Sequence, residues 1–244
     1  MAALYGPTPV REAITRCEET LATTADNRKV QALVTLFMSP LYAMSGDFTT
    51  ARRLYREAGA SFEELGATLF GARTSLQSAV VELLAGDPGA AERELRRDYE
   101  KLEQMGEQYV RPTVAASLAL LLCRQDRFDE ASELARVAED IAAEDDVESQ
   151  ALWRSAKALI LARGGDGAAA NTTARAAIEL LRRTDALVQI ADALIVHASV
   201  LQEHGDSDQR RGALREAARL YALKGNVVSE QAVKSALQER PVPL

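Results

Sequence analysis

Residues 205–225 read GDSDQRRGALREAARLYALKG, and the same design occurs twice more in the chain. Residues 46–66 read GDFTTARRLYREAGASFEELG, and residues 86–106 read GDPGAAERELRRDYEKLEQMG. Each copy begins with Gly-Asp and has a second glycine 20 positions after the first. Three copies with one spacing identify an internal repeat, so the rest of the chain is best interpreted as a repeat architecture.

Turn-forming residues recur at nearly the same interval along the whole chain. The spacing is 20 residues at every step except one of 19, and the positions are Asp26, Gly46, Gly66, Gly86, Gly106, Asp126, Asp146, Gly165, Asp185, Gly205 and Gly225. Glycine ends helices because it adopts the left-handed conformation at low cost, and aspartate begins them by accepting from free backbone amides. The pattern predicts a series of helices of about 16–18 residues each.

Small residues recur at fixed points of alternate helices, which makes the repeating unit a pair of helices. In the first helix of each pair the column consists of Ser39, Ala79, Ala119, Ala158 and Ala198. In the second helix a column consists of Ala58, Asp98, Ala138, Ala177 and Ala217. Small residues at fixed points let paired helices approach closely, so we expect both columns to be buried.

The order and spacing of the columns resemble the tetratricopeptide repeat, with a period of about 40 residues in place of the usual 34. HEAT repeats, which have a similar period, are the alternative. The resemblance implies an all-α fold, a right-handed α-α superhelix, in a single domain over residues 1–244. The predicted pairs span 28–65, 67–105, 108–145, 147–184 and 186–224, with a leading helix at 9–25 and a closing helix at 227–239.

Composition and charge exclude several classes of function. The net charge of −7 and the pI of about 5.1 provide no positive field for a nucleic acid backbone. Cys17 and Cys123 lie far apart without metal-ligand spacing, which is typical of a reducing compartment. The first 25 residues do not have the pattern of a signal peptide, and no apolar run is long enough for a membrane span. A cytoplasmic location without a nucleic acid or membrane partner is therefore expected.

Four strings resemble a narrower family. They are LYGPTPVREAI at 4–14, VELLAGDPGAAERELRRDYEKLEQMGE at 81–107, DDVESQALWRSAKALILAR at 145–163 and ALREAARLYALKGNVVS at 213–229. They are similar to the C-terminal repeat region of bacterial regulators in which a class III adenylate or guanylate cyclase domain precedes an ATP-binding domain. The resemblance implies a non-catalytic regulatory arm whose partner is a protein or peptide, including the adjacent domains of the same polypeptide. A ligand- or peptide-sensing superhelix acting on its own is the alternative.

Residues with chemical potential do not form a catalytic, cofactor or metal constellation in the sequence. The chain contains no G-x-x-x-x-G-K-[ST], and RGGDGAAA at 163–170 falls where a helix–helix turn is expected. The run containing Asp146 and Glu148 is expected to cap a helix, and Trp153 is expected to pack in the core. His197 and His204 lie 7 residues apart without a third ligand. We therefore predict no enzyme, no cofactor and no metal.

Candidate binding residues come from columns whose chemistry changes between repeats. Packing fixes the constant columns, whereas variable columns are free to recognise a partner. In tetratricopeptide domains the first helices line the concave surface, so the resemblance gives the candidate groove contacts Arg73, Gln77, Arg111, Arg154, Lys157, Asp192 and His197. Ordinary solvent exposure of these side chains is the alternative.

Overall fold

The structure, a computed structural model, describes residues 2–203 and 205–238. Within these ranges every regular element is an α-helix, as predicted. The helices are α1 (Ala2–Tyr5), α2 (Val10–Thr23), α3 (Arg28–Met44), α4 (Phe48–Glu64), α5 (Thr68–Gly71), α6 (Ser75–Leu84), α7 (Pro88–Gln104), α8 (Arg111–Cys123), α9 (Phe128–Ile141), α10 (Val147–Arg163), α11 (Gly167–Leu181), α12 (Leu187–Glu203), α13 (Ser207–Lys224) and α14 (Val227–Gln238). Over the described ranges, none of these helices has the length and hydropathy needed to span a bilayer.

Consecutive helices pack as pairs, and the pairs pack in series. The paired helices are α3 with α4, α6 with α7, α8 with α9, α10 with α11 and α12 with α13. The first helices of the pairs, α3, α6, α8, α10 and α12, also contact one another in that order and form an inner row. This arrangement is consistent with an α-solenoid, in which each pair buries its apolar surface against its neighbours.

The turns follow the glycine and aspartate pattern that the sequence predicts. Gly46 has a φ of 91°, and the side chain of the following Asp47 accepts from the amide of Thr50 at the start of α4. The glycines at 66, 86, 106, 165, 205 and 225 also have positive φ. Asp126 takes this role between α8 and α9 with a φ of 59°, a conformation that aspartate tolerates better than most residues.

Both columns of small residues are buried, as predicted. All ten residues are at most 4% exposed, including Asp98, which is the one charged member. Close approach of the helices at these points explains why alanine dominates the columns. Trp153 is 7% exposed, which confirms its predicted place in the core.

The helix predicted at the start of the second pair is divided in two. In place of a continuous segment from residue 67, α5 ends at Gly71 and α6 begins at Ser75. The reason is Asp98, whose Oδ2 accepts from the Ser75 amide at 2.7 Å, while Oδ1 accepts from Arg97 Nε at 2.9 Å. A buried carboxylate in a column of alanines thus provides an external cap for α6.

Two other helix ends differ from the prediction for similar reasons. Helix α8 begins at Arg111 rather than at residue 108 because the Glu107 carboxylate accepts from the amides of residues 109, 110 and 111. Helix α9 ends at Ile141 rather than at residue 145, since Ala142 is extended with a ψ of 126°. The side chain of Gln150 donates to the carbonyl oxygens of residues 142 and 143 at 3.1 and 3.0 Å.

Each end of the described chain contacts helices at the opposite end of the series. The predicted leading helix is α2 preceded by the short α1, which contacts both α3 and α12. The predicted closing helix is α14, which packs on α13 and also contacts α3, whereas residue 239 lies outside the described ranges. The buried Lys224 ammonium donates to the carbonyl oxygens of Gly6 at 3.0 Å and Thr8 at 2.8 Å. The leading segment is therefore joined directly to the last pair.

Candidate functional site

The inner row of helices lines a cavity of about 430 Å³, which we call the inner chamber. Helices α6, α8, α10 and α12 form one side, and α13 and α14 form the other. The walls are mainly apolar and include Leu76, Val80, Leu120, Leu152, Ile195 and Val233. The inner helices are rich in leucine because they also pack on the neighbouring helices. The same helix thus supplies apolar side chains to the core and to the chamber wall.

A carboxylate and a phenol lie at one end of the chamber. The Tyr221 hydroxyl of α13 donates to Oδ1 of Asp192 on α12. Asp192 is accessible to solvent, although the surrounding helices desolvate it enough to raise the pKa of its carboxyl. Burial also raises the pKa of Tyr221, and the neighbouring Asp192 charge adds to this rise. The Arg124 guanidinium, which also lines the chamber, acts in the opposite direction and lowers the pKa of the Asp192 carboxyl.

A smaller recess of about 40 Å³ continues from this end of the chamber, with Asp192, Leu120 and Leu152 lining both. Its second carboxylate is Glu148 on α10, whose Oε1 accepts from Gln189 Nε2 at 2.8 Å. Burial raises the pKa of Glu148 to about 7. Two carboxylates from different inner helices therefore face one apolar recess.

Tyr5 brings the start of the chain into the same cluster. Burial is the main cause that raises the pKa of the Tyr5 phenol, and the charges of Glu148 and Asp192 raise it further. Gln77 and Arg73 act in the opposite direction, Gln77 through a side-chain hydrogen bond and Arg73 through its charge. Three of the predicted groove residues, Arg73, Gln77 and Asp192, thus influence the pKa of the Tyr5 phenol.

Arg154 and Lys157 lie on another face of α10 and do not line the chamber. The Arg154 guanidinium stacks 4.0 Å from the ring centroid of Trp153, and its Nη1 donates to the Gln150 carbonyl oxygen at 2.8 Å. Lys157 Nζ donates to both carboxylate oxygens of Glu139 on α9 at 2.8 Å. The structure places both cations toward the second helix of the preceding pair.

Arg111 and His197 also lie away from the chamber. Arg111 is half-buried at the start of α8, and its Nη1 is 4.0 Å from the Glu103 carboxylate of α7. His197 Nε2 forms a hydrogen bond of 2.7 Å with Asn171 Oδ1 on α11, and burial lowers the pKa of His197. His204 lies outside the described residues. Whether any of these side chains contacts a partner stays a prediction.

Glu148 and Gln189 were not among the site residues predicted from the sequence. Asp146 caps α10 by accepting from the Ser149 amide at 3.2 Å, as predicted, but Glu148 two residues later faces the recess. The available signal was the composition of the inner helices. Helices such as α8 are apolar on more than one face, which indicates a second buried surface besides the helix pair.

Comparisons with known proteins identify a fold. No family model and no curated protein sequence matches the chain. The chain is similar in structure to a protein solved as "Crystal structure of BtubC (BKLC) from P. vanneervenii", with a TM-score of 0.58 and 14% sequence identity. The alignment covers 96% of this chain and 92% of that chain. At this level of identity the likeness concerns the helical architecture alone.

Proposed function

We propose that the chain is a non-catalytic protein-interaction and regulatory module of the tetratricopeptide-like type. It forms a right-handed superhelix with a period of about 40 residues in a single domain over 1–244 and acts in the cytoplasm. Its place is that of the C-terminal arm of a bacterial signalling regulator with cyclase and ATP-binding domains. The resemblance of the four strings at 4–14, 81–107, 145–163 and 213–229 supports this context.

One observation carries the proposal: the inner surface of the helix row is a surface on which polypeptide segments pack. The Tyr5 phenol lies near enough to Glu148 and Asp192 for both charges to raise its pKa, and α14 forms a wall of the chamber through Val233 and its neighbours. A partner helix or peptide would contact the same inner surface, as amphipathic segments do in the grooves of other helical proteins. Binding of this helix or peptide would change the activity of the domains to which the module is attached.

The test is binding of cyclase and ATP-binding domains from the same polypeptide, using a charge-reversal variant just before the start of α6. Arg73→Glu reverses a charge that acts on Tyr5, and Arg136→Glu reverses an exposed charge on α9 as the matched control. We expect Arg73→Glu to weaken binding about tenfold or more, since a charge-assisted contact contributes about 1.5–3 kcal/mol. Arg136→Glu should bind as the wild type does. Equal affinity of the two variants would refute an inner binding surface.

A second candidate function is a ligand-sensing superhelix that acts on its own, and the inner chamber favours it. Ligand pockets in proteins have volumes of about 300–1,000 Å³, with apolar walls and a few convergent polar groups. The chamber, at about 430 Å³, has these properties. Binding of a small molecule to the isolated chain distinguishes this function from the first, which requires a protein partner.

A further inference from the structure

We propose that the inner chamber binds a small organic molecule with an apolar body and a single ammonium group, which enters the adjoining recess lined by Glu148 and Asp192. The inference rests on the second candidate function, ligand sensing, and adds the chemical class of the ligand. It is independent of whether the chain also binds cyclase or ATP-binding domains.

The apolar body follows from the way α14 forms its wall. Val233 is the one side chain of α14 that is buried among the described residues. The chamber-facing positions beside it are small, namely Ser229, Ala232 and Ala236. Because these side chains do not reach the leucines of α6 and α8, a void lined by apolar groups remains. An apolar ligand would gain contacts there that the protein itself does not make.

The ammonium group follows from spare hydrogen-bond capacity at the carboxylates. Each carboxylate has about four acceptor positions. In the described structure Glu148 accepts one hydrogen bond, from Gln189, and Asp192 accepts one, from Tyr221. Neither forms a salt bridge within 4.0 Å with any described residue. An ammonium has three donors and no acceptor, so it matches two acceptor groups that face one recess.

Other head groups fit this recess less well. A carboxylate or phosphate in the recess would be repelled by Glu148 and Asp192. Arg124, the cation beside Asp192, lines the chamber and not the recess. A divalent cation such as Ca²⁺ takes six to eight oxygen ligands. The recess supplies two carboxylates among apolar walls, with Leu120 and Leu152 on either side. A hydroxyl could donate a hydrogen bond to one carboxylate, but it carries no positive charge for the carboxylates to attract.

Three compounds with the same body and different heads test the ammonium. We would titrate the intact chain with 4-phenylbutylamine, 4-phenylbutan-1-ol and 4-phenylbutyrate by isothermal calorimetry at pH 8. We expect the amine to bind about tenfold tighter than the alcohol, and the carboxylate to bind more weakly than both. Asp192→Asn and Glu148→Gln should each weaken amine binding about tenfold and weaken alcohol binding by a smaller factor, because the neutral amide oxygen can still accept from a hydroxyl.

A second pair of variants tests the location. Ala232→Trp places a large side chain in the chamber and should weaken binding of the amine and the alcohol alike. Gln231→Trp is the matched control, because Gln231 is exposed on the same helix. Unchanged binding in Ala232→Trp would overturn the chamber as the site.

The remaining outcomes separate the two levels of inference. Equal affinities of the amine and the alcohol would overturn the ammonium class, although a ligand-sensing role would survive. Absence of binding by all three compounds would overturn both. Neither result would alter the partner-binding test with Arg73→Glu, so failure here and failure of the interaction module are distinguishable.

Discussion

The first turns of α6 and α10 each involve a carboxylate, and the two carboxylates are used differently. At α6 the carboxylate is Asp98 from α7, which is fully buried and accepts from the Ser75 amide and from Arg97. At α10 it is Glu148, which faces the recess and accepts from Gln189. The first is bonded to groups that hold two helices together, whereas the second keeps acceptor capacity toward a cavity.

This difference separates a structural buried charge from a functional one. Desolvating a carboxylate is costly unless donors replace the lost water. Around Asp98 a backbone amide and a guanidinium replace it, so the charge is matched by the fold itself. Around Glu148 the compensation is incomplete, and burial accordingly raises the pKa of that carboxyl to about 7. Substitutions at the two sites should therefore have opposite effects on stability.

The largest loss of stability is expected when an aspartate is placed in the next helical pair at the position that corresponds to Asp98. Ala138 occupies the same column, is fully buried, and belongs to a core cluster with Ala115, Ala116 and Trp153. Ala138→Asp would bury a carboxylate without the donors available to Asp98, so we expect a loss of about 4 kcal/mol or more. Urea denaturation provides the measurement. Ala176→Asp at an exposed position of α11 should cost less than about 1 kcal/mol.

Asp98→Ala restores the residue type found in the rest of the column, yet it should destabilise the protein. The Ser75 amide and the Arg97 guanidinium would lose a charged partner, with an expected loss of about 2–4 kcal/mol in the free energy of unfolding. Amide hydrogen exchange should show faster opening at the start of α6 than at the start of α10. A variant as stable as the wild type would contradict the structural role of this carboxylate.

Glu148→Gln should stabilise the protein in a pH-dependent manner. The folded-state pKa of about 7 lies above the usual 4.5, so the folded protein holds the proton more strongly. This contribution to stability is complete below about pH 4.5 and is lost as the pH rises through about 7. The variant has no carboxyl to ionise at this position. Its free energy of unfolding should therefore exceed that of the wild type by about 1–3 kcal/mol at pH 8.

The comparison for this variant is its urea midpoint at pH 5 against that at pH 8. Asp146, Arg73 and Gln189 act on the same carboxyl and remain unchanged in both proteins. The advantage of the variant should therefore grow between the two pH values. An advantage that is equal at both would show that Glu148 titrates normally.

Asp146→Asn should have the smallest effect and tests the link between the cap of α10 and the recess. Asparagine caps helices about as well as aspartate, so the loss should be about 0.3–1 kcal/mol from the weaker interaction with the helix dipole. The Asp146 charge raises the pKa of Glu148, so the variant should lower it. Titration of the Glu148 side chain by NMR measures this shift. An unchanged pKa would indicate that burial alone raises it.

Local sequence signals were sufficient for most of the fold. The turns after α3 and α13 end at Gly46 and Gly225 with positive φ, and Asp166 caps α11 by accepting from the Ala169 amide at 3.0 Å. Such signals act within a few residues, so spacing alone identifies them. The expected turn at 163–170 was correct for the same reason.

Features that depend on distant residues were not predictable in this way. The break between α5 and α6 is stabilised by Asp98, 23 residues after Ser75, and the local turn residues Gly71 and Thr74 lie outside the 20-residue spacing that predicted the other turns. The chamber depends on where α14 crosses the inner row, and helical periodicity cannot distinguish a leucine in a core from one beside a void. Arg154 and Lys157 show the same limit, since one residue along a helix turns a side chain by about 100°.

The Lys224 side chain has a mechanical consequence. A row of helical pairs that touch only their neighbours behaves as a spring, whose width changes through small rotations at every interface. Here the Lys224 side chain of α13 forms hydrogen bonds with the backbone carbonyl oxygens of residues 6 and 8. Stretching the row must break this link together with the contacts of α1 with α12 and of α14 with α3. The chamber should therefore keep its width more strictly than the groove of a row whose two ends are free.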